Sequence, residues 1–372
     1  MKVVVAMSGG VDSSVTAALL ADQGHEVVGV HMKLHDATGG GPGHCCGLED
    51  ALDARQVADR LGIPFYVMNL KEAFQKAVMD DLADTYLAGR TPNPCIQCNG
   101  VLKFRVLLAR AMALGASHLA TGHYCRIVDT PRGRRLATAV DASKDQSYFL
   151  FPMRQEALDR TLFPLGGLTK PEVRALAEKY GLVTAEKPES QEICFIPDDD
   201  HAGFVKRHRP EAHTSGDIVD EAGNVVGRHE GFERFTVGQR RGLGVALGSP
   251  AWVVRIEPES RRVVVSTNPE ALLDTGLLLG TANWFEDPAP GEVLEVRIRH
   301  LGRRIPCVVE PGPQEGVSIV RFAEPARAVA PGQAAVLYRG DVVVGGGWIR
   351  RALRDGLVSA PPPENALPHG LA

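Results

Sequence analysis

Near the start of the chain, Ser8-Gly9-Gly10-Val11-Asp12-Ser13 lies directly behind a short apolar run and ahead of a segment with helical spacing. Glycines there let backbone N–H groups converge at the start of a helix, where the positive end of the helix dipole favours an anion. The loop predicts a phosphate site. It lacks the G-K-[ST] ending of a Walker A loop and the G-x-G-x-x-G of a dinucleotide fold, which sets it apart from both nucleotide classes. The competing reading is an ordinary tight turn, and the strand–loop–helix context counts against it.

The seven cysteines are the second feature able to do chemistry. Arg90-Thr91-Pro92-Asn93-Pro94-Cys95-Ile96-Gln97-Cys98-Asn99 reads as a proline-set loop that delivers two thiols just ahead of a helix predicted to begin near Val101. A helix N-terminus favours the thiolate, which makes Cys98 a candidate nucleophile. C-x-x-C is also half of a zinc site, and Cys45, Cys46 and His44 can in principle complete it. Cys194 lies among apolar neighbours in Ser190-Gln191-Glu192-Ile193-Cys194-Phe195-Ile196, where a lone cysteine is usually a buried small hydrophobe.

The elements that must position these residues change character along the chain. Val3–Met7, Val27–His31, Phe65–Met68 and His118–Thr121 read as short strands. They are separated by helical patterns at Ser13–Gln23, Ala51–Leu61, Glu72–Leu87 and Val101–Leu114. Strands alternating with helices predict a doubly wound parallel sheet. Thr169-Lys170-Pro171-Glu172 has the form of a capping box with an early proline, opening one more helix. Beyond residue 200 the pattern becomes short β-branched runs such as Val253–Ile256 and Arg262–Val265, with glycine and proline punctuation. We expect an α/β phosphate-loop domain over residues 1–200, a small β-rich domain over 201–268, a C-terminal β-barrel-like domain over 269–355 and a disordered tail over 356–372.

Composition bounds the class. With 44% hydrophobic and 23% charged residues, and no apolar run able to cross a bilayer, the chain reads as soluble and cytoplasmic with no membrane partner. Cysteines unevenly placed in such a chain are candidates for catalysis or metal binding rather than a disulfide framework. The net charge of -4 gives no global sign of nucleic-acid binding.

The Ser8–Ser13 loop resembles that of the PP-loop ATP pyrophosphatases. Further segments narrow the resemblance: Thr91-Pro92-Asn93-Pro94 leading to Cys98-Asn99, Ala120-Thr121-Gly122-His123-Tyr124, Lys144-Asp145-Gln146-Ser147-Tyr148-Phe149-Leu150, and Ser190–Ile196. With Gly216-Asp217 and Thr236-Val237-Gly238-Gln239-Arg240, they make the chain similar to the tRNA-specific 2-thiouridylases over nearly its whole length. The resemblance implies a sulfurtransferase that adenylates the C2 oxygen of the wobble uridine in the tRNA anticodon loop, releases pyrophosphate, and substitutes sulfur from a cysteine persulfide. It makes Cys194 the persulfide carrier and Cys98 the second catalytic thiol. Ala6, Met7, Ser8, Gly9, Gly10, Val11, Asp12, Ser13, Met32 and Gly122 would contact ATP, with Asp12 beside Mg²⁺. Asn93, Pro94 and Cys95 would border the target base. His123, Lys144, Asp145, Gln146, Arg299, His300 and Gln333 would contact RNA. Arg299 and His300 fall in the densest basic cluster, with Arg297, Arg303 and Arg304. The sulfur donor would be a relay protein or a cysteine desulfurase.

In one respect the chain departs from that family: several members carry aspartate where it has Cys95. Three thiols, Cys95, Cys98 and Cys194, would suit a [4Fe-4S] cluster as a second route. Two other functions compete, a PP-loop ligase acting on a small molecule and a zinc-binding RNA adaptor without catalysis. The ligase needs no paired thiols, and the adaptor leaves the phosphate loop without a purpose.

Overall fold

The computed structural model describes residues 1–35, 48–188, 193–196 and 200–354. The expected tail and the His44, Cys45 and Cys46 of the alternative zinc site lie outside these residues. The chain divides into two compact units, one of residues 1–78, 95–199 and 340–343, the other of residues 79–94, 200–339 and 344–372. Among the described residues no helix is long and apolar enough to cross a membrane.

The first unit is α/β. Strand β1 (Lys2–Ala6), helix α1 (Val11–Asp22), β2 (Glu26–Lys33), helix α2 (Leu48–Leu61), β3 (Phe65–Asn69) and β4 (His118–Ala120) alternate as expected. An antiparallel hairpin follows, β5 (Cys125–Thr130) with β6 (Gly133–Thr138), and then the two-residue β7 (Thr161–Leu162). The sheet is parallel in the order β3-β2-β1-β4-β7. Val3, Val4 and Val5 are buried on both faces of the central β1, as a strand covered by helices on each side requires. The chain leaves β1 toward β2 on one side and returns to β4 on the other, so the loop after β1 stands at the switch point of the sheet, where α/β folds bind ligands. The hairpin was not visible in the sequence pattern.

The helical run carrying the first thiols differs from expectation. It begins at Pro94 rather than near Val101: Pro94–Gln97 is α-helical, Cys98–Leu107 winds in wide π-type turns, and Leu108–Ala113 returns to α. Proline at the first helical position has its φ preset and no N–H to lose. Cys98 therefore lies one turn inside the helix, and Cys95 occupies the first turn. The capping box is present, with the Thr169 N–H donating to Glu172 Oε2 at 2.7 Å ahead of helix Lys170–Lys179.

The second unit is β-rich. β8 (Gly216–Val219), β9 (Val225–His229), β10 (Trp252–Glu257) and β11 (Arg262–Ser266) form a sheet in the order β10-β11-β8-β9 around Ile218, Phe232, Phe235, Val253 and Val263. β12 (Leu273–Trp284), β13 (Leu294–Arg297), β14 (Ile305–Pro311), β15 (Val317–Arg327), β16 (Ala334–Arg339) and β17 (Val342–Leu353) follow. They pair in the order β12-β15-β14-β13-β16-β17, and pairing of β12 with β17 closes an antiparallel barrel. Alternate residues such as Leu277, Leu279, Leu294, Val296 and Val320 fill its interior, the inward half of each strand's two-residue period. Residues 79–94 are tied to the rest of this unit by polar side-chain contacts. His208 Nε2 lies 2.6 Å from Asp80 Oδ1, and Arg209 Nε donates to Asp84 at 2.9 Å.

Candidate active site

The phosphate loop is built by short hydrogen bonds. The Ser8 N–H donates to Ser13 Oγ at 3.1 Å, and the hydroxyls of Ser13 and Ser14 donate to the Gly10 carbonyl at 3.1 and 2.9 Å. His31, buried in β2, holds the residue before the loop through a 2.9 Å contact between Nδ1 and the Met7 carbonyl, and burial pushes its pKa down. No side chain caps Gly10 at the start of α1, so the first N–H groups of a twelve-residue helix remain for an anion. Met32 lies at the end of β2 and Gly122 just past β4. The predicted nucleotide contacts thus gather at the carboxyl ends of three adjacent strands.

Asp12 is engaged from two sides. Lys170 Nζ donates to its two oxygens at 2.8 and 2.9 Å, and the Tyr124 hydroxyl donates to Oδ1 at 2.8 Å. The ammonium also lies 5.6 Å from the Tyr124 ring centroid, a cation–π distance. Lys170 and Tyr124 are site residues that sequence reasoning missed. Lys170 was visible only as a helix start, because its partner lies 158 residues away. One carboxylate beside phosphates is a common protein share of a Mg²⁺ site; both Asp12 oxygens already accept from Lys170, so Asp12 would serve a metal only once that ammonium turned to the phosphates.

The thiols separate by environment. Cys125 and Cys307 are buried. Burial, with Asp145 adding to it, pushes the Cys125 thiol well up, and burial with Glu295 lifts Cys307 to about 12. Both stay protonated. Cys98 and Cys194 are half-buried and Cys95 is exposed. Cys194 stands in a turn pinned by its neighbours: Ile196 is buried, and the Phe195 ring meets Phe74 edge-on at 5.2 Å. Lys187, just ahead of this segment, donates to Asp50 at 2.7 Å and Asp53 at 2.5 Å on α2. Among the described residues no group of three or more His, Cys, Asp or Glu side chains is arranged to hold a metal ion. Cys95, Cys98 and Cys194 therefore offer an iron–sulfur cluster no ligand set in this arrangement.

Several residues expected to touch RNA are occupied within the protein. Asp145 has 0% exposure, and its carboxylate accepts from the Ala139 and Ser147 N–H groups and the Ser147 hydroxyl. Gln146 Oε1 accepts from the Tyr124 N–H at 2.9 Å, steadying the tyrosine on Asp12. His123 is buried, 2.6 Å from Thr121 Oγ1 through Nδ1 and 3.4 Å from Lys103 Nζ through Nε2. An ammonium only donates, so Nε2 accepts and Nδ1 carries the proton given to Thr121. Burial, and then the charge of Lys103, hold the His123 pKa well below its usual range. Gln333 Nε2 donates to the carbonyls of Thr91 and Pro92 at 3.3 and 3.0 Å, bracing the loop ahead of Asn93. Lys144 remains half-buried and Arg299 exposed. Within the basic cluster, Arg299 donates to the carbonyls of Arg327 and Ala328, while Arg303 and Arg304 pair with Glu324 and Glu295.

Comparison with known proteins places the chain in a family. Residues 1–198 match the tRNA methyl transferase HUP domain family, residues 202–267 the tRNA methyl transferase PRC-barrel domain, and residues 274–349 the aminomethyltransferase beta-barrel domain. The tRNA-specific 2-thiouridylase MnmA of Geobacter metallireducens is 51% identical over 95% of this chain and 98% of its own. The chain belongs to the tRNA-specific 2-thiouridylase family. The family's protein from Geotalea uraniireducens is 50% identical over 95% of this chain and 96% of its own. Among solved structures, a 4-thiouridine synthetase in complex with RNA and bound ATP matches 56% of this chain and 50% of that one, at 18% identity and a TM-score of 0.36.

Proposed function

We infer that this protein is an ATP-dependent tRNA-uridine 2-sulfurtransferase acting on the wobble uridine of the anticodon loop. One observation carries the reading: an anion loop at the sheet's switch point and two half-buried thiols, Cys98 and Cys194, belong to one compact unit of a 2-thiouridylase-family chain. The loop N–H groups and Lys170 would hold the triphosphate, with Asp12 on Mg²⁺. Magnesium would supply neutralisation of the phosphate charge.

The C2 oxygen of the uracil attacks the α-phosphorus and pyrophosphate leaves, which turns a poor leaving group into AMP. A persulfide on Cys194, loaded by a cysteine desulfurase or a relay protein, attacks C2 through its outer sulfur and expels AMP. The Cys98 thiolate then attacks the Cys194 sulfur. The bond between Cys194 and the transferred sulfur breaks, leaving 2-thiouridine and a Cys98–Cys194 disulfide that a thiol reductant must reopen. Asn93, Pro94 and Cys95 would border the base, with Lys144, Arg299 and His300 on the RNA backbone. Asp145, Gln146, His123 and Gln333 support the site by fixing its loops. The enzyme would work in the cytoplasm.

Mass analysis of tRNA incubated with protein, ATP, Mg²⁺ and a persulfide donor tests the reading. Oxygen-to-sulfur exchange at one anticodon uridine is expected, with loss in Cys98→Ser and Cys194→Ser. Pyrophosphate release independent of tRNA would favour a small-molecule ligase, and no release at all would favour an RNA adaptor.

A further inference from the structure

We propose that Arg350 and Arg90 form a seat for a phosphodiester of the RNA substrate at the foot of the Thr91–Pro94 loop. Arg350 is singled out by its strand. Along the pairing of β12 with β17 the register passes from Leu278 opposite Arg351 to Leu279 opposite Ile349, which leaves Arg350 as the extra residue of a bulge. Bulges redirect a side chain that regular pairing would aim elsewhere. The redirected stem lies across Gly280, where a Cβ would stand 2.7 Å from Arg350 Cδ and nearer still to Nε. A glycine at that position is what gives the guanidinium room.

Arg350 Nε is buried and has no hydrogen-bond partner among the described residues. Five other arginines of this unit are paired with carboxylates: Arg303 with Glu324, Arg304 with Glu295, Arg321 with Glu310, Arg339 with Glu292 and Arg354 with Asp274. Arg297 Nε is also buried without a hydrogen bond among the described residues, but of the two only Arg350 stands at a bulge. A buried guanidinium N–H with nothing to donate to is costly. The side chain as a whole is half-buried, and an anion docking on its accessible part would compensate a charge that no carboxylate among the described residues meets.

Arg90 shares the place through a short chain of bonds. The Ile349 N–H donates to the Gln333 carbonyl at 2.8 Å and the Thr91 N–H to the Pro331 carbonyl at 2.8 Å, while the Gln333 side chain holds Thr91 and Pro92. Arg350 and Arg90 each lie one residue outside this knot. Burial and then the charge of Arg350 push the Arg90 pKa down, as two cations held in one neighbourhood require. Planar guanidiniums bind phosphate oxygens bidentately, and a phosphodiester accompanies every nucleotide that approaches the loop. The assignment rests on the reading of this protein as a tRNA-modifying enzyme.

Binding of unmodified tRNA by the full chain, measured by fluorescence anisotropy across a potassium chloride series, tests it. Arg350→Gln is expected to weaken binding about 5- to 20-fold at low salt and to reduce the slope of log affinity against log salt by about one, with ATP affinity retained. Arg350→Lys should restore the slope. In the wild type, tRNA but not ATP should shield Arg350 from phenylglyoxal, a readout independent of how the variants fold. An unchanged slope in Arg350→Gln, loss of ATP rather than tRNA affinity, or modification of Arg350 undiminished by tRNA would each overturn the seat. Wild-type protein that binds no tRNA would overturn the sulfurtransferase reading along with it.

Discussion

Substitution of Gly9 by alanine should disable the anion loop, whereas the same change one residue later should leave it intact. Gly9 has φ +82°, in the left-handed region that costs an L-residue about 1–2 kcal/mol. Its added Cβ would stand 2.8 Å from both the carbonyl carbon and the Cα of Asp50, and nearer to the carbonyl oxygen. These are backbone atoms in the first turn of α2, so relief requires the loop or the helix to shift, an overpacking cost of about 1–3 kcal/mol. Together the two effects come to roughly 2–5 kcal/mol. Gly10 sits at φ −96°, ψ 166°, ordinary extended backbone, and its Cβ would meet only Ser8 Oγ at 3.7 Å. Alanine there should be neutral or stabilising by about 0.4–1 kcal/mol, because it restricts the unfolded chain. In differential scanning fluorimetry of ATP-free protein, Gly9→Ala should lower Tm by about 3–6 °C and lose the upward shift on adding ATP. Gly10→Ala should melt at or slightly above the wild type. Equal melting of the two variants would refute the close approach of the loop to α2.

Lys170→Met strips Asp12 of its ammonium partner and the loop of a cation. ATP affinity by isothermal titration should fall about tenfold, in line with one hydrogen bond to a charged group, and an unchanged affinity would remove Lys170 from the site. Alkylation with iodoacetamide near neutral pH, mapped by peptide mass, should label Cys95, Cys98 and Cys194 well before Cys125 and Cys307, the last held protonated up to about 12. Labelling of Cys307 in the folded protein would contradict its burial. His123 stays neutral in the folded protein, while the unfolded chain takes up a proton near the ordinary value of 6.5. The unfolded state then binds more protons, so stability present above about pH 6.5 is lost as pH falls below it. The urea midpoint should drop between about pH 7.5 and 5.5, and His123→Gln should shrink that drop; an equal drop in both proteins would exonerate His123.

Local chemistry was legible in the sequence, and partnership across the chain was not. The anion loop could be read because its glycines, its strand and its helix lie within a few residues. The Thr169–Glu172 capping box was legible for the same reason. The start of the thiol helix was not legible, because two prolines within Arg90–Asn99 read as loop punctuation, when proline suits the first position of a helix equally well. Lys144, Asp145 and Gln146 form one sequence motif, yet Asp145 turns inward to backbone N–H groups and Gln146 to Tyr124. Nothing in their spacing tells an inward carboxylate from an outward one. Gln333 likewise spends its amide on carbonyls 241 and 242 residues away, a pairing that only the folded chain creates. The bulge that isolates Arg350 depends on a register between two strands far apart in sequence.

The wide turns of Cys98–Leu107 bear on which changes the chain tolerates. Their hydrogen bonds span one residue more than those of an α-helix, so loss of a single residue there would allow tighter winding without breaking the rod. The cost would appear as a rotation: tighter turns advance the chain by a different angle per residue than wide ones, so Cys95 and Cys98 would face a new direction relative to His123. The number of residues in this stretch is therefore as strict a requirement as the sulfur atoms themselves, and a one-residue deletion that preserves every named side chain should still silence the enzyme.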